Sequence, residues 1–75
     1  MIIKVNDNLS IQGEINNALV LFVAYMLTEL NGSFQYSWEV AKLIKINSEI
    51  NNDIIMVNFK HWNDDYKFYA KIIEL

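Results

Sequence analysis

The chain has 75 residues, 53% of them hydrophobic, with no cysteine, proline or arginine, a single histidine and a net charge of -3. A domain this small has a thin stability margin and normally needs a disulfide, a metal or a partner subunit; the composition excludes the first and leaves His61 without companion nitrogen or sulfur ligands for the second. Negative net charge and missing arginine also argue against general affinity for nucleic acid or anionic membranes.

A very apolar core, self-association, or both must then supply the stability. No linker, repeat or block of like charge divides the chain, so residues 1–75 read as one domain. Met1 to Val5 lacks the basic start and long apolar middle of a secretory signal, and with zero cysteine the cytoplasm is the expected compartment. Abundant Ile, Asn and Lys beside absent Arg and Pro has the look of an AT-rich genome such as that of a phage or plasmid.

In chain order, Met1 to Val5 (MIIKV) is a β-branched run, and Leu9 to Gly13 follows after Asn6, Asp7 and Asn8, residues that tolerate tight turns. A hairpin with Val5 facing Leu9 sets Ile3 against Ile11, with all four apolar side chains on one face. A competing reading starts a long helix at Ser10; Gly13 and the pair Asn16 and Asn17 weaken it.

Ala18 to Leu27 (ALVLFVAYML) is ten consecutive apolar residues, against about 20 needed to cross a bilayer. The flanks predict a capped helix from about Asn17 to Leu30: Asn16 as N-cap, Ile15 and Val20 as a hydrophobic staple, Asn31 with Gly32 as the left-handed stop. On a helical wheel Ile15, Leu19, Phe22, Val23, Met26 and Leu30 form the stripe directed at a sheet. The back carries Asn17, Val20, Leu21, Ala24 and Thr28, small and mixed rather than charged, so a second surface must cover it. With so little chain left over, that cover is expected from a second copy, making Val20, Leu21, Ala24 and Thr28 a homodimer interface; burial inside the same chain is the alternative.

Phe34 to Val40 (FQYSWEV) alternates large apolar side chains with Gln35, Ser37 and Glu39, which predicts a half-buried strand. A short helix over Trp38 to Ile46 is the alternative. Asp53 to Trp62 and Tyr66 to Leu75 form a second hairpin with Asn63, Asp64 and Asp65 in its turn. A two-residue loop pairs Phe59 with Phe68 and sets Lys60 opposite Lys67; a four-residue loop puts Trp62 by Lys67 and Lys60 by Tyr69, and both stay open.

The resulting order, β-β-α-β-β-β, gives an α+β domain: an antiparallel sheet with one long apolar helix packed on it. A winged helix-turn-helix is the alternative, with the Trp38 region as second helix and the last hairpin as wing, but the chain before Asp53 has no room for a third helix with basic base-reading side chains.

Chemistry-bearing groups are sparse. His61, Asp64 and Asp65 gather near one turn, yet Asp is simply what turns use, and no second histidine, cysteine or serine motif completes a catalytic set. Two glycines do not make a phosphate loop. The outward parity of the last hairpin is more informative. It collects Lys60, Trp62, Lys67, Tyr69 and Lys71, half the positive charge of the chain, with Ile54, Met56 and Ile73 beyond. Aromatics interleaved with lysines suit a protein interface or a single-stranded nucleic-acid platform, or they solubilise an exposed sheet. The expectation is a non-enzymatic, cofactor-free, homodimeric protein-binding module of inhibitor, immunity or antitoxin type, carried by a phage or plasmid, with single-stranded nucleic-acid or operator binding through the same five residues as the alternative.

Overall fold

A computed structural model describes residues 1–75 throughout. The elements run β1 (Ile2–Asn6), β2 (Leu9–Gln12), α1 (Ile15–Asn31), α2 (Phe34–Ala41), β3 (Ile46–Asn51), β4 (Ile54–His61) and β5 (Asp64–Glu74). The five strands make one sheet in the order β2-β1-β5-β4-β3, every neighbouring pair antiparallel. The fold is α+β as expected, with two helices in place of one. A winged helix-turn-helix is overturned: there is no third helix, and β5 joins both hairpins into a single sheet.

Ile3 faces Ile11 as the apolar pattern requires. Asn6, not Val5, stands opposite Leu9, because the ladder shifts between Lys4 and Asn6 and Val5 bulges out of register. The Asn6 carboxamide accepts from the Asn8 N–H at 2.8 Å and closes the turn. From the sheet, Ile3, Ile11, Ile55, Val57, Phe59, Ala70 and Ile72 meet Ala18, Leu19, Phe22, Val23, Ala24 and Leu27 of α1 in one buried cluster. Full burial of a side chain such as Phe22 or Leu27 contributes about 1.5–3 kcal/mol.

Helix α1 begins two residues earlier than its apolar run suggested. Glu14 is the capping residue and makes no side-chain cap bond, so Asn16 lies inside the first turn. The other end is as expected: Gly32 is left-handed at φ 80° and donates its N–H to the Thr28 carbonyl at 2.7 Å.

Residues 34–40 are helix, which corrects the strand expected there. Ser33 caps α2 by accepting from the Tyr36 N–H at 3.3 Å. Phe34 stacks on Trp38 one turn later, with centroids 6.4 Å apart, and meets Tyr25 of α1 in a tilted contact at 5.2 Å. The buried residues of α2 are its small ones, Ser37 and Ala41, while the large ones stand on its flanks, partly exposed. Period two among the large residues therefore described the flanks and not the packed edge.

This second helix supplies the cover that α1 requires. Ala24 is fully buried inside the chain, Val20 and Leu21 are half-buried against the same core, and the Thr28 hydroxyl donates to the Ala24 carbonyl at 2.7 Å. Of the expected interface residues, Ala24 is therefore closed to a second copy, whereas Val20, Leu21 and Thr28 keep part of their surface exposed. At the corner between the helices the Ser37 hydroxyl donates to the Ser33 carbonyl at 2.7 Å and accepts from Asn31 Nδ2 at 3.0 Å; Asn31 Oδ1 accepts from the Ser33 N–H at 2.8 Å. One buried hydroxyl is thereby satisfied where the helices meet.

Ala24→Glu is expected to unfold the domain, since an unpaired carboxylate buried there costs several kcal/mol, a large part of the roughly 4–11 kcal/mol such a chain holds. Far-UV circular dichroism reads this directly; a folded variant would mean that the face is open after all.

Candidate functional site

The helices occupy one face of the sheet, and the other has no covering element. Strand alternation puts Asn47, Glu49 and Asn51 of β3, Ile54, Met56, Asn58 and Lys60 of β4, and Asp65, Lys67, Tyr69 and Lys71 of β5 on that face, with Lys4 of β1 beyond. The register builds rows across it. Glu49, Met56 and Tyr69 form one, and Asn51, Ile54, Lys71 and Lys4 the next. Tyr69 is 64% exposed, unusual for a large aromatic side chain in mid-sheet.

Of the five residues singled out in the sequence, Lys60, Lys67, Tyr69 and Lys71 share this face. Trp62 does not. It sits with Asn63 in the two-residue loop between His61 and Asp64, at the tip of a ribbon that projects past β3 and β1. Neither expected register is the observed one: Phe59 stands opposite Tyr66 and Lys60 opposite Asp65. Opposed unlike charges replace the Lys60 and Lys67 clash that the two-residue alternative carried.

Most lysines of this face are matched by acids. Lys71 approaches Asp53 at 4.0 Å and Lys4 approaches Asp7 at 3.4 Å, which eases the like-charge contact of Lys4 directly opposite Lys71. These exposed pairs add little stability, but they leave no free stripe of positive charge. Only Lys67, opposite Asn58, has neither an acid opposite it in the ladder nor an ion pair with a turn residue.

Beside the β3–β4 turn, Glu49, Asn51, Asn52, Asp53, Ile54, Met56, Lys67 and Tyr69 line an open concavity of about 490 Å³. Its Ile54, Met56 and Tyr69 provide apolar lining, and Asn51 and Asn52 provide amides. Half of this lining is not legible in the sequence, because residues 46–51 carry only Ile46 and Ile50 as apolar markers and give no strong strand pattern of their own. The weak signal was the alternation of Ile46, Ser48 and Ile50 ahead of Asn52 and Asp53.

His61, Asp64 and Asp65 do not converge. His61 and Asp64 oppose each other on the helix side of the ribbon, whereas Asp65 pairs with Lys60 on the open side. No group of three or more His, Cys, Asp or Glu side chains is placed to hold a metal ion, and no helix is long and apolar enough to cross a membrane. Comparison with protein-family models, curated proteins and solved structures finds no match to this chain.

Trp62 adopts φ 57°, and the first residue of the other tight loop, Asn52, adopts φ 58°. Asparagine tolerates that left-handed conformation; a bulky side chain pays about 1–2 kcal/mol. Trp62→Gly is therefore expected to raise stability by about 0.5–1 kcal/mol after the extra entropy of glycine in the unfolded chain is counted. The midpoint of urea unfolding measures it, and a lower midpoint would show that the indole's contact with His61, centroids 6.0 Å apart, outweighs the strain.

Proposed function

We propose that the protein is a small non-enzymatic binding module that occupies the surface of a partner protein through the open face of its sheet, in the manner of an inhibitor or immunity protein. The observation that carries this reading is the row Glu49, Met56 and Tyr69 beside Ile54, with Ile54, Met56 and Tyr69 as the apolar and aromatic centre of a concavity rimmed by the Asn51 and Asn52 amides, Asp53 and Lys67. A buried apolar centre with a polar rim is the anatomy of a protein interface. The partner that fits presents an apolar or aromatic side chain to the concavity and hydrogen-bonding groups to Asn51 and Asn52. Trp62 at the ribbon tip supplies a second anchor of the type enriched at interface hot spots, 78% exposed and held in a strained backbone.

Single-stranded nucleic acid is the second reading, because Lys67, Tyr69 and Lys71 interleave on one face of β5. The acids beside Lys60 and Lys71 and the net charge of -3 oppose it.

Two measurements test the proposal. Capture from cells with the wild type, Met56→Glu and Tyr69→Ala is expected to recover a protein that both variants lose, while their circular dichroism stays native. A partner retained equally by both variants removes the open face from the reading. Titration with oligothymidylate at low salt is expected to leave tryptophan fluorescence unchanged; strong quenching that vanishes with added salt would favour nucleic acid instead.

A further inference from the structure

We propose that β3 pairs antiparallel with β3 of a second copy, so that two sheets become one continuous sheet across a twofold axis. The backbone decides which groups are free. The Ile72 N–H donates to the Asp53 carbonyl at 2.6 Å, so odd-numbered residues along β4 turn their peptide groups to β5 and even-numbered ones turn theirs to β3. Ile54, Met56 and Asn58 are thus bonded to their partners Asn51, Glu49 and Asn47. The N–H and C=O groups of Ile46, Ser48 and Ile50 then point away from the sheet, along a free edge.

That edge is unguarded compared with the others. β2 has only four residues beside a bulge, and the free first half of β5 carries Asp65 and Lys67. β3 has six residues in regular register with no bulge, no proline, no lysine and one charge, Glu49. Edges are normally protected by those very devices.

The strand is also complementary to itself. Antiparallel pairs share a face, so a twofold centred on Ser48 sets Ile46 opposite Ile50 of the second copy, Asn47 opposite Glu49, and Ser48 opposite Ser48. Ile50, 42% exposed on the helix side, gains an apolar neighbour at each end of the ladder. Glu49 meets an amide. Centring on Glu49 would oppose two carboxylates and set Ile50 against serine, and centring on Asn47 would pair only Ile46 to Ser48 of each strand. The Ser48 register alone matches face, charge and the outward peptide groups. This surface is distinct from the α1 face expected from the sequence, and it borders the open face assigned to a partner protein, with which it shares β3.

Sedimentation equilibrium is expected to give twice the 8.8 kDa chain mass. Ser48→Pro removes an N–H that bonds nothing within one chain, so it is expected to stay folded and to weaken dimerisation by about 30-fold or more, through the loss of the two central hydrogen bonds. Because the chain has no cysteine, Ser48→Cys is expected to give a covalent dimer with a short thiol cross-linker, and Ser10→Cys on β2 to give none. A wild type monomeric at every concentration overturns the proposal, as does a folded Ser48→Pro dimer of unchanged affinity or cross-linking through Ser10→Cys alone. If Ser48→Pro does not fold, Ile50→Lys, at a side chain already exposed, takes its place: a folded monomer supports the pairing and an unweakened dimer overturns it.

Discussion

The buried residues of α1, Ala18, Leu19, Phe22, Val23, Ala24 and Leu27, span well over half its circumference, so the helix must be covered from two sides, and a 75-residue chain has only one sheet to offer. The other cover is α2, whose own buried residues, Ser37 and Ala41, are small. Small side chains are what close helix packing uses, and the hydroxyl this brings inside is bonded by Asn31 and Ser33. Spending both helices on each other and on one sheet face has a consequence for the rest of the molecule. Nothing remains to cover the opposite face, or to finish the helix-side column of β3, where Ser48 and Ile50 stay exposed. Both candidate surfaces descend from how α1 is buried.

Much of this was legible in the sequence where one local signal had one meaning. The Asn31 and Gly32 stop had a single outcome, and the structure has it; the pairing of Ile3 with Ile11 is present too, over the competing helix from Ser10 that Gly13 and the pair Asn16 and Asn17 weaken. Residues 34–40 failed for a physical reason: period two among Phe34, Tyr36, Trp38 and Val40 is a hydropathy signal, but the packed edge of α2 is Ser37 and Ala41, spaced four apart and neither large nor strongly apolar. The cap at Ser33 was the better clue. The expectation of a homodimer face on α1 rests on the same signal, because a strand at 34–40 leaves α1 with no internal cover.

The register of the last hairpin was open for another reason. Asn63, Asp64 and Asp65 offer several tight loops of similar local merit, and the observed loop uses the locally worse residue, Trp62, at φ 57°. Non-local terms outweigh that strain: Lys60 gains Asp65 opposite, and Phe59 gains Tyr66, ring centroids 5.4 Å apart. Sliding the pairing by two residues leaves every side chain on its own face. The membership of Lys60, Lys67, Tyr69 and Lys71 in the open face was therefore readable without knowing the register, and only Trp62 depended on it.

The two surfaces meet at β3. Its outward peptide groups lie on the edge, while Glu49 and Asn51 of the same strand line the concavity on the open face. Pairing through Ser48 would run that face without interruption from one copy into the next and set the two concavities on either side of the twofold. A partner with two equivalent contacts would then gain the effective-concentration advantage of a second, intramolecular binding event. A small face with modest single-site affinity becomes sufficient on those terms, without the larger core that a chain of this length has no residues to build.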